Sequence, residues 1–278
     1  MKKRAKLNYL LIIIAAALIV MVFSVVTADR AFSPTSEVLN ETSTPTPELE
    51  NLEDLEGEEV KASVLMYHHI GGLLENADQI RIGLTVSTEE FESQIKYLSE
   101  NDYQFMTLGE LYKNVEKKKA PKKVAVLTFD DGYDDNFYEA LPILKKYNAR
   151  GTFFIISSKI GDSEYMSEDQ VKELSKAGNE IGSHSVNHPS LERYGGDYLN
   201  KELVDSKNTL SDLTDKEVIS FCYPAGKYND KTIAAVSEAG YKIAVTTRSS
   251  TGLLLTSQLL EVPRYRISSD MSFEALFR

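Results

Sequence analysis

From Lys61 onward, short apolar runs alternate with stretches in which apolar positions recur every three or four residues. The short runs have the length of strands: Ala62–Tyr67, Val124–Phe129, Gly151–Ile156, Glu180–Ser183, Val218–Tyr223, Lys242–Thr246 and Glu261–Arg266. Between them the helical spacing predicts Phe91–Asn101, Leu108–Lys117, Asp135–Tyr147, Ser167–Ala177, Tyr198–Leu213 and Asp230–Ala239. Phe91, Ile95 and Leu98 share one face of the first, and Ser87-Thr88-Glu89-Glu90 reads as its cap. Lys-Ala-Gly at 176–178 and Glu-Ala-Gly at 238–240 read as stops, since glycine takes the left-handed conformation that ends a helix. Regular alternation of strand and helix predicts an α/β fold of parallel strands, as an open sheet or a barrel. In both, reactive residues gather beyond the strand C-termini. His68, Asp130-Asp131, His184 and Pro224-Ala225 all follow predicted strands, so four segments are expected on one face.

The first 60 residues follow neither period. Lys2, Lys3, Arg4 and Lys6 precede an uncharged apolar run from Tyr9 to Val26. Eighteen residues at about 1.5 Å each span roughly 27 Å, close to the hydrocarbon core of a bilayer. A single-pass membrane anchor is therefore expected within residues 1–28, with the basic flank cytoplasmic and the rest of the chain extracytoplasmic. The alternative is a signal peptide cleaved near Val26-Thr27-Ala28, which would release a secreted protein. Residues 29–60 are rich in Ser, Thr and Pro and then acidic, which predicts a disordered linker that cannot bury enough apolar surface to offset its ordering entropy. It holds most of the net charge of −11, and the expected folded domain, 61–278, is only mildly acidic. Nucleic acid is thus not an expected partner, and a neutral substrate fits better. With Cys222 the only cysteine, an internal disulfide is ruled out, so the fold depends on its core and on any metal it holds.

The chain has four histidines: His68, His69, His184 and His188. An acidic pair at the end of an apolar strand, with two histidines four residues apart, can form a two-imidazole, one-carboxylate metal site beside a spare carboxylate. Thr128-Phe129-Asp130-Asp131-Gly132-Tyr133 and His184-Ser185-Val186-Asn187-His188 resemble the first two signature motifs of the polysaccharide deacetylases, the NodB-homology group or carbohydrate esterase family four. Phe221-Cys222-Tyr223-Pro224-Ala225-Gly226 resembles the third, usually Phe-Arg-Pro-Pro-Tyr-Gly. The resemblance implies a distorted (β/α) barrel of mainly parallel strands, preceded here by the transmembrane helix and linker. It also implies removal of N-acetyl groups from GlcNAc residues of a cell-surface or extracellular polysaccharide, either poly-GlcNAc or peptidoglycan. Carried over residue by residue, it makes Asp131, His184 and His188 the metal ligands, Asp130 the general base and the Ala225 N–H the oxyanion donor. Zinc suits such ligands, and cobalt, nickel or iron also accept them.

Three departures from the family pattern shape the remaining expectations. No histidine follows His188 to serve as the usual C-terminal acid. The Tyr67-His68 element resembles one that precedes the Asp-Asp motif in poly-GlcNAc deacetylases, and it selects His68; strand alternation turns His69 the other way. Cys222 replaces the third-motif arginine, leaving Arg264 and Arg266 as candidates to orient the base. No tryptophan is present for the substrate pocket, for which Tyr133, Tyr223 and Leu254 are the candidates. The expected partners are the polysaccharide and, through the N-terminal helix, the membrane; no protein partner is inferred. Two other activities share these features: an O-acetyl polysaccharide esterase, and a non-catalytic glycan-binding module on the same fold.

Overall fold

The computed structural model describes residues 52–54, 59–73, 75–249, 253–255, 258–269 and 271–277. Six strands lie side by side in chain order, each parallel to the next: β1 (Glu59–Tyr67), β2 (Val124–Phe129), β3 (Gly151–Ile155), β4 (Glu180–Ser183), β5 (Ser220–Cys222) and β6 (Ile243–Val245). Parallel neighbours need a crossover, and helices supply it. They are α1 (Gln79–Leu84), α2 (Thr88–Glu100), α3 (Leu108–Glu116), α4 (Leu141–Lys146), α5 (Glu168–Lys176), α6 (Gly196–Thr214) and α7 (Asp230–Glu238). The sheet curls into a half-barrel, and the C-terminal segment reaches both of its edges. Val262 bridges Val245 of β6, and Tyr265–Arg266 pairs in parallel with Leu65–Met66 of β1.

Side chains along a strand alternate between faces, and two buried clusters follow from that. Val64, Val126, Phe154, Cys222 and Val245 form one, inside the curl, with Leu108, Leu111 and Val115 of α3. Leu65, Leu127, Phe153, Phe221 and Ala244 form the other, against the helices. The α3 N-terminus is tied to the strand starts by Leu108 N–H to Thr152 Oγ1 (2.8 Å) and Gly109 N–H to Glu180 Oε2 (2.7 Å). It therefore covers the end of the curl opposite Asp130. With both faces buried, β2 has no polar alternation to show, as its sequence anticipates. The Ser87–Glu90 capping box opens α2, and left-handed Gly178 and Gly240 follow α5 and α7.

Several elements differ from their sequence expectation. The helix expected at Asp135–Tyr147 begins as a π-turn, Asn136–Ala140, and becomes α-helical only at Leu141. Leu141 N–H bonds Asn136 O, five residues back, and Pro142 has no N–H with which to continue a four-residue ladder. Within the expected linker, Leu52–Asp54 pairs antiparallel with Lys119–Pro121, and β1 starts at Glu59. Strand pairing uses backbone groups, which an acidic composition does not remove.

The expected single-pass membrane location requires correction. Among the described residues no helix is long and apolar enough to cross a membrane. The run Tyr9–Val26, on which that expectation stood, lies outside the described residues together with the cleavage site, so the structure gives the anchor no support.

Candidate active site

The buried β2 strand delivers two adjacent carboxylates to the C-terminal rim of the curl. Asp130 N–H bonds Tyr67 O (3.0 Å), locking this rim to the end of β1. Asp131 then adopts φ 74° and Gly132 φ 85°, which turns the chain and sends the two carboxylates different ways. A non-glycine residue in this left-handed region costs about 1–2 kcal/mol, and Ser185 (φ 64°), His188 (φ 57°) and Ala225 (φ 52°) bear the same strain nearby. Four of the nine non-glycine residues with positive φ among the described residues thus lie on loops that carry candidate residues.

Asp131 faces the histidines. Its Oδ1 lies 3.4 Å from His184 Nε2 and 3.6 Å from His188 Nε2, and the three donor atoms fall within 4.8 Å of one another. His184 Nδ1 is 2.8 Å from the Cys222 carbonyl, which can only accept, so Nδ1 carries the proton and Nε2 keeps a lone pair for a ligand. Burial opposes charge on His184, but the Cys222 sulfur and the Asp131 and Asp130 carboxylates outweigh it and raise its pKa well above the imidazole value. A pocket that favours a proton at that point attracts positive charge. One carboxylate and two imidazoles held in this way fit a divalent cation. A second grouping, Asp130, His184 and Cys222, also brings donor atoms together. It already contains the Arg264 guanidinium, whose charge and bulk exclude a metal there.

Asp130 faces the other way. Arg264, with 0% of its surface exposed, binds it through both guanidinium arms: Nη1 to Oδ1 at 2.7 Å and Nη2 to Oδ2 at 2.8 Å. The guanidinium also donates to Thr128 Oγ1 and Thr246 O, each at 2.9 Å, and Nη2 lies 3.2 Å from Cys222 Sγ. Burial alone would raise the Asp130 pKa, but the paired arginine more than offsets this and holds the carboxyl well below its usual range. His68 Nε2 approaches Asp130 Oδ2 at 3.8 Å. Burial lowers the His68 pKa to about 4 despite the nearby carboxylates, so the ring rests neutral at neutral pH.

The other candidates separate. Arg266 lies exposed, while Arg264 occupies the buried position next to the base. At the third motif, Pro224–Gly226 forms a single turn held by Gly226 N–H to Tyr223 O and Lys227 N–H to Pro224 O. Ala225, exposed at its centre, contributes its N–H to neither bond. A Cβ on Gly226 would stand 2.0 Å from Thr247 Oγ1, so the turn is tightly seated. Tyr133 is half-buried and stacks on His69 at 3.6 Å, and burial together with the nearby Asp131 carboxylate pushes its phenol pKa up. Tyr223 is fully buried, with its hydroxyl on Leu260 O, and presents no surface to a ligand. Leu254 belongs to a strand, Leu253–Leu255, that pairs with β1, and its side chain lies outside the described residues.

Two contributors escaped the sequence reading. Glu202 of α6 accepts Val186 N–H (3.0 Å) and Asn187 N–H (2.8 Å) on one oxygen and Asn187 Nδ2 (2.7 Å) on the other. It thereby fixes the loop between the two histidines. Its signal was an acid on an apolar helical face, in line with Leu199, Leu203, Ser206 and Leu210. The second is the pair Asp135-Asn136, whose bonds to residues 68–70 depend on a π-turn that periodicity does not disclose.

Comparison with known proteins gives one consistent result. Residues 117–244 match the family model described as Polysaccharide deacetylase. A poly-beta-1,6-N-acetyl-D-glucosamine N-deacetylase of Staphylococcus aureus (strain MSSA476) is 32% identical over 209 residues, covering 70% of this chain and 71% of the relative. The structure of the Streptococcus pyogenes deacetylase PplD, in complex with acetate, superposes with a TM-score of 0.73 at 34% identity, over 78% of this chain and 97% of that one. The polysaccharide deacetylase BC0361 from Bacillus cereus gives 0.70 at 28% identity, over 79% and 70% respectively. Motifs, topology and similarity over most of the folded chain agree: the protein belongs to the polysaccharide deacetylase family.

Proposed function

We propose that this protein is a metal-dependent N-deacetylase of a GlcNAc polymer, with poly-β-1,6-GlcNAc as the leading substrate. One observation carries the reading: Asp131, His184 and His188 converge on one point while Asp130, fixed by Arg264, stays free of that group. The S. aureus relative is named for poly-β-1,6-GlcNAc, and PplD was solved with acetate, the acid this reaction would release.

In this reading Asp131, His184 and His188 hold a divalent cation. When bound, the ion, zinc or another metal that accepts this donor set, supplies Lewis acidity toward the acetyl carbonyl and the attacking water. Asp130 takes the proton from the water as its oxygen adds to the acetyl carbon. Arg264 keeps that carboxylate ionised and aimed. The Ala225 N–H donates to the carbonyl oxygen as negative charge develops on it. His68, neutral at rest and facing Asp130, receives the proton and passes it to the nitrogen as the C–N bond breaks, so that amine and acetate separate. Tyr133 forms a wall of the site on the Asp131 side.

The test is acetate release from poly-β-1,6-GlcNAc, chito-oligomers, peptidoglycan and acetylxylan, run side by side with the zinc-loaded full chain. Release from a GlcNAc polymer ahead of acetylxylan is expected. Preference for acetylxylan would make the protein an O-acetyl esterase, and glycan binding without release would make it a non-catalytic module.

A further inference from the structure

His68 occupies a single non-strand position between the end of β1 and the short bridge His69–Ile70. Among the described residues its side chain makes no hydrogen bond, since its approach to Asp130 at 3.8 Å is longer than one. The anchoring comes from the backbone and neighbour of His68, and from two consecutive residues. Asn136 Nδ2 donates to His68 O at 2.7 Å. Asp135 Oδ2 lies 2.6 Å from His69 Nδ1, and Asp135 Oδ1 accepts Ile70 N–H at 3.4 Å. The pair is braced internally, since Asn136 Nδ2 also donates to Asp135 Oδ1 at 2.7 Å. Asn136 is fully buried, and Arg81 Nη2, 3.8 Å from Asp135 Oδ2, supplies the charge opposite the aspartate.

The placement of this pair matters. Asp135 and Asn136 open the π-turn directly after the loop that carries Asp130 and Asp131. A π-turn re-aims side chains relative to an ordinary helix and recurs at functional sites. Here it directs Asp135 and Asn136 back at residues 68–70. The segment bearing the proposed base and the segment bearing the proposed acid are thereby joined on both sides of the His68 side chain: Asp130 N–H on Tyr67 O before it, and Asn136 and Asp135 on residues 68–70 after it. We propose that Asp135 and Asn136 are positioning residues that set His68 against Asp130 by gripping residues 68–70. This rests on the assignment of His68 as the group that protonates the leaving amine, and the test separates the two.

An amide needs that proton, whereas the phenolate of 4-nitrophenyl acetate leaves without one, so the ratio of the two rates reports on His68. In the zinc-loaded full chain, His68→Ala should lower the amide-to-ester kcat ratio by about 100-fold or more, as expected for loss of general acid catalysis. Asn136→Ala and the milder Asp135→Asn should lower the same ratio by about 10-fold, with KM and bound zinc unchanged, as a small misplacement of a catalytic group does. Adding Asn136→Ala to His68→Ala should lower the ratio no further, because a residue acting through His68 has nothing left to act on. Asp135→Asn, on a partly exposed side chain, keeps the test decisive should Asn136→Ala fail to fold. A parallel fall of amide and ester rates in the positioning variants, or additive effects in the double variant, would overturn the inference while leaving His68 as the acid. An unchanged ratio in His68→Ala would overturn both.

Discussion

Removing the guanidinium of Arg264 is the sharpest perturbation available, because the structure assigns it a burden that can be estimated. Asp130 is 3% exposed, and both its oxygens are bound by this one side chain. Arg264→Met keeps apolar bulk and leaves a buried carboxylate without its counter-charge, which costs about 3–5 kcal/mol. For a folded part of this size each kcal/mol moves the midpoint by about 2–4 °C, so the melting temperature should fall by roughly 6–20 °C. The double variant Asp130→Asn/Arg264→Met removes both charges and should recover most of that loss, since neutral partners carry little desolvation cost. The same substitution leaves the upward push of burial on Asp130 unopposed. Its carboxyl then titrates at higher pH, and the acid limb of the activity profile moves up. Thermal melts of these three proteins by circular dichroism decide the matter. An Arg264→Met midpoint within about 2 °C of the parent, or a double variant no more stable than the single one, would refute the reasoning.

Two further outcomes follow from the same site. Glu202→Ala removes both acceptor oxygens that hold the 186–187 loop, so stability should drop by about 1–3 kcal/mol and zinc affinity by about 10–100-fold; calorimetric zinc titration checks this, and unchanged affinity would contradict it. His68 has a folded pKa of about 4 against an ordinary 6.5, so below pH 6.5 the unfolded chain binds a proton that the folded one refuses. Stability is then full above pH 6.5 and falls by about 3 kcal/mol as pH drops toward 4, a slope that His68→Gln should flatten in urea titrations of the metal-free protein; superimposable curves would contradict it.

Much of this was legible in the sequence, for reasons that differ by element. The apolar run Val124–Phe129 marked a doubly buried strand to the residue, and its position dictated where Asp130 and Asp131 would emerge. The Ser87–Glu90 box marked the start of α2 because capping is local chemistry. Family membership was legible in two short motifs. The choice between Arg264 and Arg266 was not, because it depends on how the last segment seats against both β6 and β1. Tyr223 looked available beside the third motif, yet its hydroxyl is satisfied inside the core by Leu260, a partner 37 residues away. Glu202 showed as an acid on an apolar helical face, but neither its bonds nor those of Asn136 were legible, because each acts on backbone groups distant in sequence.

Acetate release from poly-β-1,6-GlcNAc, followed on one sample as isolated, after chelation, and after return of one equivalent of zinc, tests the convergence of Asp131, His184 and His188 most directly. Release, its loss and its recovery are expected in turn, with Asp131→Ala inert at every stage and unable to retain the metal. Undiminished release from a chelated sample that metal analysis shows to be free of metal would contradict the account.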